Sequence, residues 1–185
     1  MTGKRSRAAE PTPGSPADQT SEADPHEVAR SIVLRQLTMA PRSRKQLAEK
    51  LAERDVPVDV ATAVLDRFEE VQLIDDAEFA RMWVRSRSQT RALARAALKR
   101  ELSDKGIDGE IAEEALDQLT PQDELDSARE LIRRKIRPDW NMADRLVRDK
   151  HVRRLVAMLA RKGYPPSMAF RVVNEELDAP QEPWD

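Results

Sequence analysis

Apolar residues recur at spacings of three and four along most of the chain, which is the pattern of helices that bury one face. The first such series is Ala29, Ile32, Val33 and Leu37. Pro41 ends this segment, and Ser43 with Gln46 has the spacing of a capping box at the start of a second helix. Because Leu, Val, Ile and Ala carry the apolar content, thin helical layers are favoured over a sandwich or barrel. The pattern therefore predicts an all-α protein.

The helical pattern itself repeats along the chain. Its first copy is Leu47, Leu51, Val56, Val60, Ala61, Val64 and Leu65. The second copy lies 51 residues further on, at Leu98, Leu102, Ile107, Ile111, Ala112, Ala115 and Leu116. The third lies another 57 residues on, at Leu155, Leu159, Tyr164, Met168, Ala169, Val172 and Val173. Gly106 and Gly163 match at the break between two helices, where the first copy has Asp55. The extra residues of the last shift are expected in a loop over 137–149.

These copies predict an elongated tandem array of three three-helix repeats. The first 25 residues are rich in Pro, Ser, Thr and acids and contain almost nothing that a core could bury, so a disordered tail is expected there. The predicted organisation is a tail over 1–25, repeats over 26–75, 76–120 and 121–178, and a disordered C-terminus over 179–185.

Charge is banded along the chain, although its formal sum is only −2. Residues 81–100 hold bases and no acid, 101–128 are acidic apart from Lys105, and 129–162 are mainly basic again. Such banding lets one surface face a polyanion, but charge runs on helices are also typical of solvated faces. Charge alone leaves both interpretations open.

The side chains that catalysis commonly uses are sparse. The sequence has no cysteine and no Gly-rich phosphate loop, and its histidines, His26 and His151, lack the spacing of a helical zinc pair. Asp75 and Asp76 could ligate magnesium, but Asp75 followed by Glu78 is better explained as a helix cap. We therefore expect no enzyme, no cofactor and no metal. No secretory signal or membrane span is evident, so a cytoplasmic protein without membrane contact is expected.

The sequence neighbours of the aromatic residues indicate whether each one lies in the core or at the surface. Trp83 lies one turn from Phe79 and is expected in the core, whereas Trp140 follows Pro138 in an irregular segment and is a candidate for an exposed anchor. His151 stands among basic residues and is expected at the surface.

Four segments, taken in order, are similar to RecX regulatory proteins. They are RSRKQLAEKL at 42–51, LIDDAEFA at 73–80, ALKRELSDKGI at 97–107 and LARKGY at 159–164. The resemblance spans residues 26–178. The chain departs from the family pattern at three places: Gln72 and Asp55 stand where the family commonly has Gly, and the usual Gly is absent from 92–96. All three departures concern the geometry of loops.

This resemblance implies a monomeric modulator of DNA repair and the SOS response that lies in the helical groove of RecA filaments on single-stranded DNA. There it would inhibit strand exchange, ATP turnover and co-protease activity. Arginines spaced by four in 81–95 would line up in rows on a helix. The residues expected to contact the filament or its DNA are Arg81, Arg85, Arg87, Arg91, Arg95, Arg133, Arg134, Lys135, Arg153 and Arg154. The alternative is a helix-turn-helix regulator that binds duplex DNA, although the third helix of each repeat is acidic or mixed.

Overall fold

The computed structural model describes residues 24–137 and 139–179, and within them all regular structure is helical. The helices are α1 (Pro25–Met39), α2 (Arg44–Ala52), α3 (Val58–Glu70), α4 (Asp76–Arg91), α5 (Arg95–Asp104), α6 (Gly109–Leu116), α7 (Pro121–Arg133), α8 (Arg145–Arg161) and α9 (Pro166–Asp178). The predicted tails lie almost wholly outside the described residues. The all-α class with three three-helix repeats is confirmed.

Each consecutive group of three helices encloses its own core. The helix pairs in most extensive contact all lie within α1–α3, α4–α6 or α7–α9, called here the first, second and third repeats. The repeated apolar positions fill these cores, with two exceptions: Ile111 is 41% exposed and Met168 is half-buried. Both residues occupy the same position of the repeat, in the first turn of the third helix, which is therefore the least buried position of the pattern.

The predicted helix caps are present. Ser43 and Gln46 form the capping box of α2, in which the Gln46 amide donates to Ser43 Oγ (3.4 Å) and the Ser43 amide to Gln46 Oε1 (3.2 Å). Asp75 caps α4 by accepting from the Glu78 amide at 2.8 Å. This contact supports a capping role for Asp75, in preference to the metal-binding alternative.

Glycine is required at the breaks of the second and third repeats for two reasons. Gly106 and Gly163 have φ angles of +78° and +91°, in the left-handed region. A Cβ on Gly106 would also stand 2.8 Å from the Lys45 side chain, and one on Gly163 would stand 2.5 Å from the Ala97 nitrogen. Asp55 has a similar φ of +56° but is exposed, since no repeat precedes it in the described chain.

Neighbouring repeats are joined through the N-terminus of a middle helix. At the first joint, between the first and second repeats, the Arg44 amide donates to Asp76 Oδ1 at 2.8 Å. At the second joint, between the second and third repeats, the Arg95 amide donates to Glu124 Oε1 at 2.6 Å. Arg95 lies 51 residues after Arg44, so a carboxylate from the following repeat caps the equivalent helix end at both joints.

A backbone carbonyl of the following repeat completes each joint. Ser43 Oγ donates to the Lys105 carbonyl at 2.8 Å, and the Ala94 amide donates to the Lys162 carbonyl at 2.9 Å. Lys105 and Lys162 are 57 residues apart and are equivalent in the repeat. The two joints are thus built alike, although the donor is a side chain in one and a backbone amide in the other.

The middle helix of the third repeat has no free N-terminus at which a fourth repeat could join in the same way. Its middle helix begins at Arg145, seven residues before Val152, which is the position equivalent to Arg95. The helix therefore continues through the place where a free N-terminus would accept another repeat. The expectation of a loop over the whole of 137–149 is wrong at its end, since the loop stops at Asp144 and the remaining residues extend α8.

Trp140 packs onto this extended helix. Its ring lies nearly parallel to that of His151, with centroids 3.6 Å apart, and both residues are half-buried. The expectation that Trp140 is an exposed anchor is therefore wrong, because the loop after α7 folds back onto α8. Trp83, in contrast, stacks on Phe79 at 5.7 Å as part of the second core, as expected.

Candidate partner-binding surface

Three of the ten predicted contact residues are held by carboxylates that lie in their own repeat but outside their own helix. Arg95 binds Glu113 (2.7 Å) and Asp117 (2.9 Å), and these hydrogen bonds raise the pKa of its guanidinium. Arg133 forms a two-pronged pair with the buried Glu176, at 2.7 and 2.9 Å. These contacts tie helices together within a repeat.

Arg87 is the third member of this group. Its guanidinium lies 4.1 Å from the centre of the Trp83 ring. A second cation, Lys105 Nζ, lies 4.0 Å from the centre of the same ring. Trp83 Nε1 donates to Glu101 at 2.8 Å, and Arg87 Nε is 3.6 Å from the same carboxylate. Arg87 is thus part of the packing between α4 and α5.

Three further predicted residues belong neither to the contacts above nor to the hollows described below. Arg81 pairs with Glu78 one turn earlier on α4, at 2.8 Å. Arg85 borders a cleft that also contains the carboxylates Asp123 and Asp126. Arg153 is exposed on α8.

The remaining four, Arg91, Arg134, Lys135 and Arg154, converge near the second joint. They line two adjoining hollows that share Arg134, called here the junction cleft. One hollow, of about 300 Å³, is lined by Arg134, Lys135, Arg137, Asp139, Trp140 and Arg154. The other includes Arg91, Glu130, Arg134 and Lys162 in its lining. The structure therefore brings together cations from the second and third repeats.

Lys162 lies where the junction cleft meets the second joint. Its Nζ donates to the Arg91 carbonyl at 2.5 Å. Burial, and then the positive charges of Arg91 and Lys135, lower the pKa of the Lys162 ammonium. Of these two charges, Arg91 faces Lys162 across the joint, and an anion between the two side chains would relieve their repulsion.

Acidic groups offset part of the positive charge. Glu130 pairs with Arg134 one turn along, and Asp139 borders the first hollow. At the edge of that hollow, burial and the charges of Arg154 and Lys150 lower the pKa of His151. In the described part of the chain, the ion pairs leave out Arg91, Lys135 and Lys162.

Sequence reasoning missed Lys162 and Arg137 as members of the cleft. Lys162 lies within the LARKGY segment, and its equivalence to Lys105 across the 57-residue shift places it at a joint. The sequence therefore indicated that Lys162 lies at a joint. It did not indicate which cations of α4 lie near Lys162, because only the fold brings them together.

Two negative findings apply to residues 24–137 and 139–179. None of their helices is both long and apolar enough to span a bilayer. No group of three or more His, Cys, Asp or Glu side chains among them is placed to hold a metal ion.

Comparison with known proteins gives consistent matches. Residues 29–68 match the family described as RecX, first three-helix domain, and residues 75–116 match RecX, second three-helix domain. Regulatory protein RecX of Streptomyces coelicolor is 50% identical over 155 residues, which is 84% of this chain and 80% of the relative. That of Thermobifida fusca is 44% identical over 173 residues, covering 94% and 91%.

Solved structures share the fold. The crystal structure of RecX from Lactobacillus salivarius superimposes with a TM-score of 0.69 at 24% identity, covering 83% of this chain and 97% of that one. A second crystal structure, of regulatory protein RecX, gives a TM-score of 0.66 at 26% identity, covering 83% and 73%.

The fold and the cleft define a class of all-helical tandem-repeat protein whose basic surface lies at a joint between repeats. Within that class, the chain belongs to the RecX family of regulatory proteins. The resemblance identified from four sequence segments is confirmed.

Proposed function

We propose that this chain is a regulator that binds RecA filaments in their helical groove and inhibits recombinase, ATPase and co-protease activity. The name of its relatives, regulatory protein RecX, supports a regulatory role. The observation that carries the proposal is the junction cleft, in which Arg91 of the second repeat lines one hollow, Lys135 and Arg154 of the third line the other, and Arg134 belongs to both.

A tandem array suits a filament because it presents one continuous surface to several neighbouring subunits. Cations along that surface would be attracted to acidic protein patches or to the DNA phosphates inside the filament. The proposal assigns the chain no catalytic step. It places the chain in the cytoplasm, where RecA acts, as a monomer.

The test is the single-stranded-DNA-dependent ATP hydrolysis of the cognate RecA, measured while this protein is added well below one copy per RecA protomer. We expect the rate to fall at these low ratios, because one bound copy would affect many protomers. An unchanged rate across the titration, with filaments unaltered by electron microscopy, would contradict the proposal.

A pair of matched variants tests the surface. Arg134→Glu with Lys135→Glu reverses two charges in the cleft, whereas Arg35→Glu with Arg54→Glu makes the same change on exposed positions of the first repeat. We expect the cleft variant to need about tenfold more protein for half-inhibition, equivalent to about 1.4 kcal/mol of binding free energy. The first-repeat variant should act like the parent.

Duplex binding is the competing outcome. Exposed acids of the third helices, such as Asp59 on α3 and Glu114 on α6, would repel a polyanion there. Tight binding to duplex DNA without RecA, with a steep dependence on salt, would favour the helix-turn-helix alternative.

A further inference from the structure

The residues that line the junction cleft also build the second joint. Lys162 supplies both its ammonium, which donates to the Arg91 carbonyl, and its own carbonyl, which accepts from the Ala94 amide at 2.9 Å. Next to it, Tyr164 Oη donates to the Ala92 carbonyl at 3.0 Å. The end of α4 is therefore held by two side chains of the third repeat.

The hollow that Arg91 and Lys162 line adjoins the hollow that Lys135 lines, and the ion pairs among residues 24–137 and 139–179 leave out all three cations. Arg91 belongs to the second repeat, while Lys135 and Lys162 belong to the third, so the repulsion between Arg91 and the two lysines acts across the joint. The carboxylate in the hollow that Arg91 lines, Glu130, is already paired with Arg134. An anion placed between Arg91 and Lys162 would turn this repulsion into attraction and pull the repeats together.

We propose that a phosphate group binds between Arg91 and Lys162, next to the hollow that Lys135 lines, and thereby locks the joint between the second and third repeats. This inference rests on the proposed function, because it assigns a ligand chemistry and a consequence to the same surface. The phosphate can come from a phosphodiester backbone or from a free phosphate compound, since both present the same oxygens to the cations.

The chain contains an internal reference for this effect. The amides of Arg44 and Arg95 are equivalent in the repeat, and each donates to a carboxylate of the following repeat, Asp76 and Glu124. Opening a joint exposes its amide to solvent, so the hydrogen-exchange rate of each amide reports on one joint. A phosphate at the cleft should slow exchange at Arg95 and leave Arg44 unchanged.

The experiment measures amide exchange of the full chain alone, with inorganic pyrophosphate, and with a short single-stranded oligothymidylate, at matched ionic strength. We expect exchange at the Arg95 amide to slow about fivefold or more, the lower range of measured couplings between sites. If both probes slow exchange at the Arg95 amide, the proposal is supported and a free phosphate compound is a sufficient ligand. If the oligonucleotide alone slows it, the proposal is supported and the ligand is a phosphodiester. No slowing, or equal slowing at Arg44, would overturn it.

Coupling is reciprocal, so loosening the joint must weaken binding of the anion. Lys162→Gln removes a cation from the cleft, and Lys105→Gln makes the same change at the equivalent position of the first joint, where the side chain lies over Trp83. We expect the Lys162→Gln chain to lose the protection of Arg95 and the Lys105→Gln chain to keep it. Loss of protection in both variants would contradict the assignment to the second joint.

A variant that touches no charge provides an independent check. Gly163→Ala would press a Cβ against the Ala97 backbone at the second joint, whereas Gly106→Ala presses against the Lys45 side chain at the first. We expect weaker pyrophosphate or oligonucleotide binding only for Gly163→Ala. Equal binding by both variants would overturn the coupling. None of these measurements contains RecA. If the chain inhibits RecA but exchange at the Arg95 amide does not respond to either phosphate probe, this inference is refuted and the proposed function is not.

Discussion

Gly163 lies so close to Ala97 that a Cβ added to the glycine would stand 2.5 Å from the alanine nitrogen. The glycine belongs to the turn after α8 and the alanine to the first turn of α5, so this contact fixes how closely the third repeat approaches the second. Gly106 makes the equivalent approach to Lys45 at the first joint. The repeat array is thus assembled through pairs of closely packed helix ends.

Gly163→Ala should therefore destabilise the protein more than Gly106→Ala. Both variants meet the cost of a left-handed residue, about 1 to 2 kcal/mol, but Gly163→Ala adds overpacking against backbone, typically about 1 to 3 kcal/mol. At Gly106 the obstacle includes the flexible outer part of the Lys45 side chain, which can partly move away. Urea unfolding followed by circular dichroism measures the difference, and equal free energies of unfolding would show that the close approach to Ala97 is absent.

Within residues 24–137 and 139–179, three non-glycine residues occupy left-handed conformations: Asp55 (φ +56°), Gln72 (φ +57°) and Ala92 (φ +46°). They stand at or within the three places where the sequence departs from the RecX pattern of glycines. The family resemblance therefore located the strained positions before the structure did. The structure adds that the turn geometry is kept in spite of the missing glycines, because packing on either side imposes it.

Replacing these residues by glycine should stabilise the chain, most at Ala92. Ala92→Gly relieves a strain of about 1 to 2 kcal/mol and loses about 0.5 to 1 kcal/mol through the more flexible unfolded chain, leaving a net gain of up to about 1.5 kcal/mol. Asp55→Gly should gain less, since Asp tolerates the left-handed region better than Ala. Thermal unfolding of the two variants provides the ranking, and a lower midpoint for Ala92→Gly would contradict it.

The repeats and their cores could be predicted because apolar spacing is a local property, as at Leu47, Leu98 and Leu155. The cleft could not be predicted, because Arg91 and Lys162 meet only through the joint. Nor does charge spacing tell an internal ion pair from a free cation. Arg91 and Arg95 look alike in the sequence, yet Arg95 is paired with Glu113 of α6 and with Asp117 just after that helix, whereas Arg91 is left out of the ion pairs of the described residues and lines the cleft.

Arg133 provides a test of this distinction. Its guanidinium is the two-pronged partner of Glu176, a carboxylate that is only 7% exposed on α9. Arg133→Gln should lower the thermal midpoint, because a buried carboxylate would lose its two-pronged charged partner and keep only Arg129, whose Nε lies 4.0 Å away. The variant with Glu176→Leu in addition should recover part of that loss. Arg153→Gln, a change at an exposed position of α8, is the control and should leave the midpoint unchanged; a similar fall in Arg153→Gln would contradict the structural role of Arg133.

Tyr164 offers a direct titration of the second joint, since it is the chain's single tyrosine. Burial, reinforced by the negative charge of Glu124, raises the pKa of its hydroxyl to about 12. The folded value lies above the value of about 10 for an unfolded chain, so the folded state favours the neutral hydroxyl. The resulting stability, roughly 2 to 3 kcal/mol, is fully present below pH 10 or so and is lost as the pH rises towards about 12.

Absorbance of the phenolate near 295 nm measures this titration. We expect a transition near pH 12 for the folded chain. In concentrated urea the transition should lie at about pH 10, as for a free tyrosine. Because Tyr164 Oη donates to the Ala92 carbonyl, ionisation removes a hydrogen bond across the joint, and the Arg95 amide should exchange faster in the same pH range after correction for base catalysis. The Tyr164→Phe chain should lack that step. A folded-state transition near pH 10 would mean that the hydroxyl is solvated and that the joint is open.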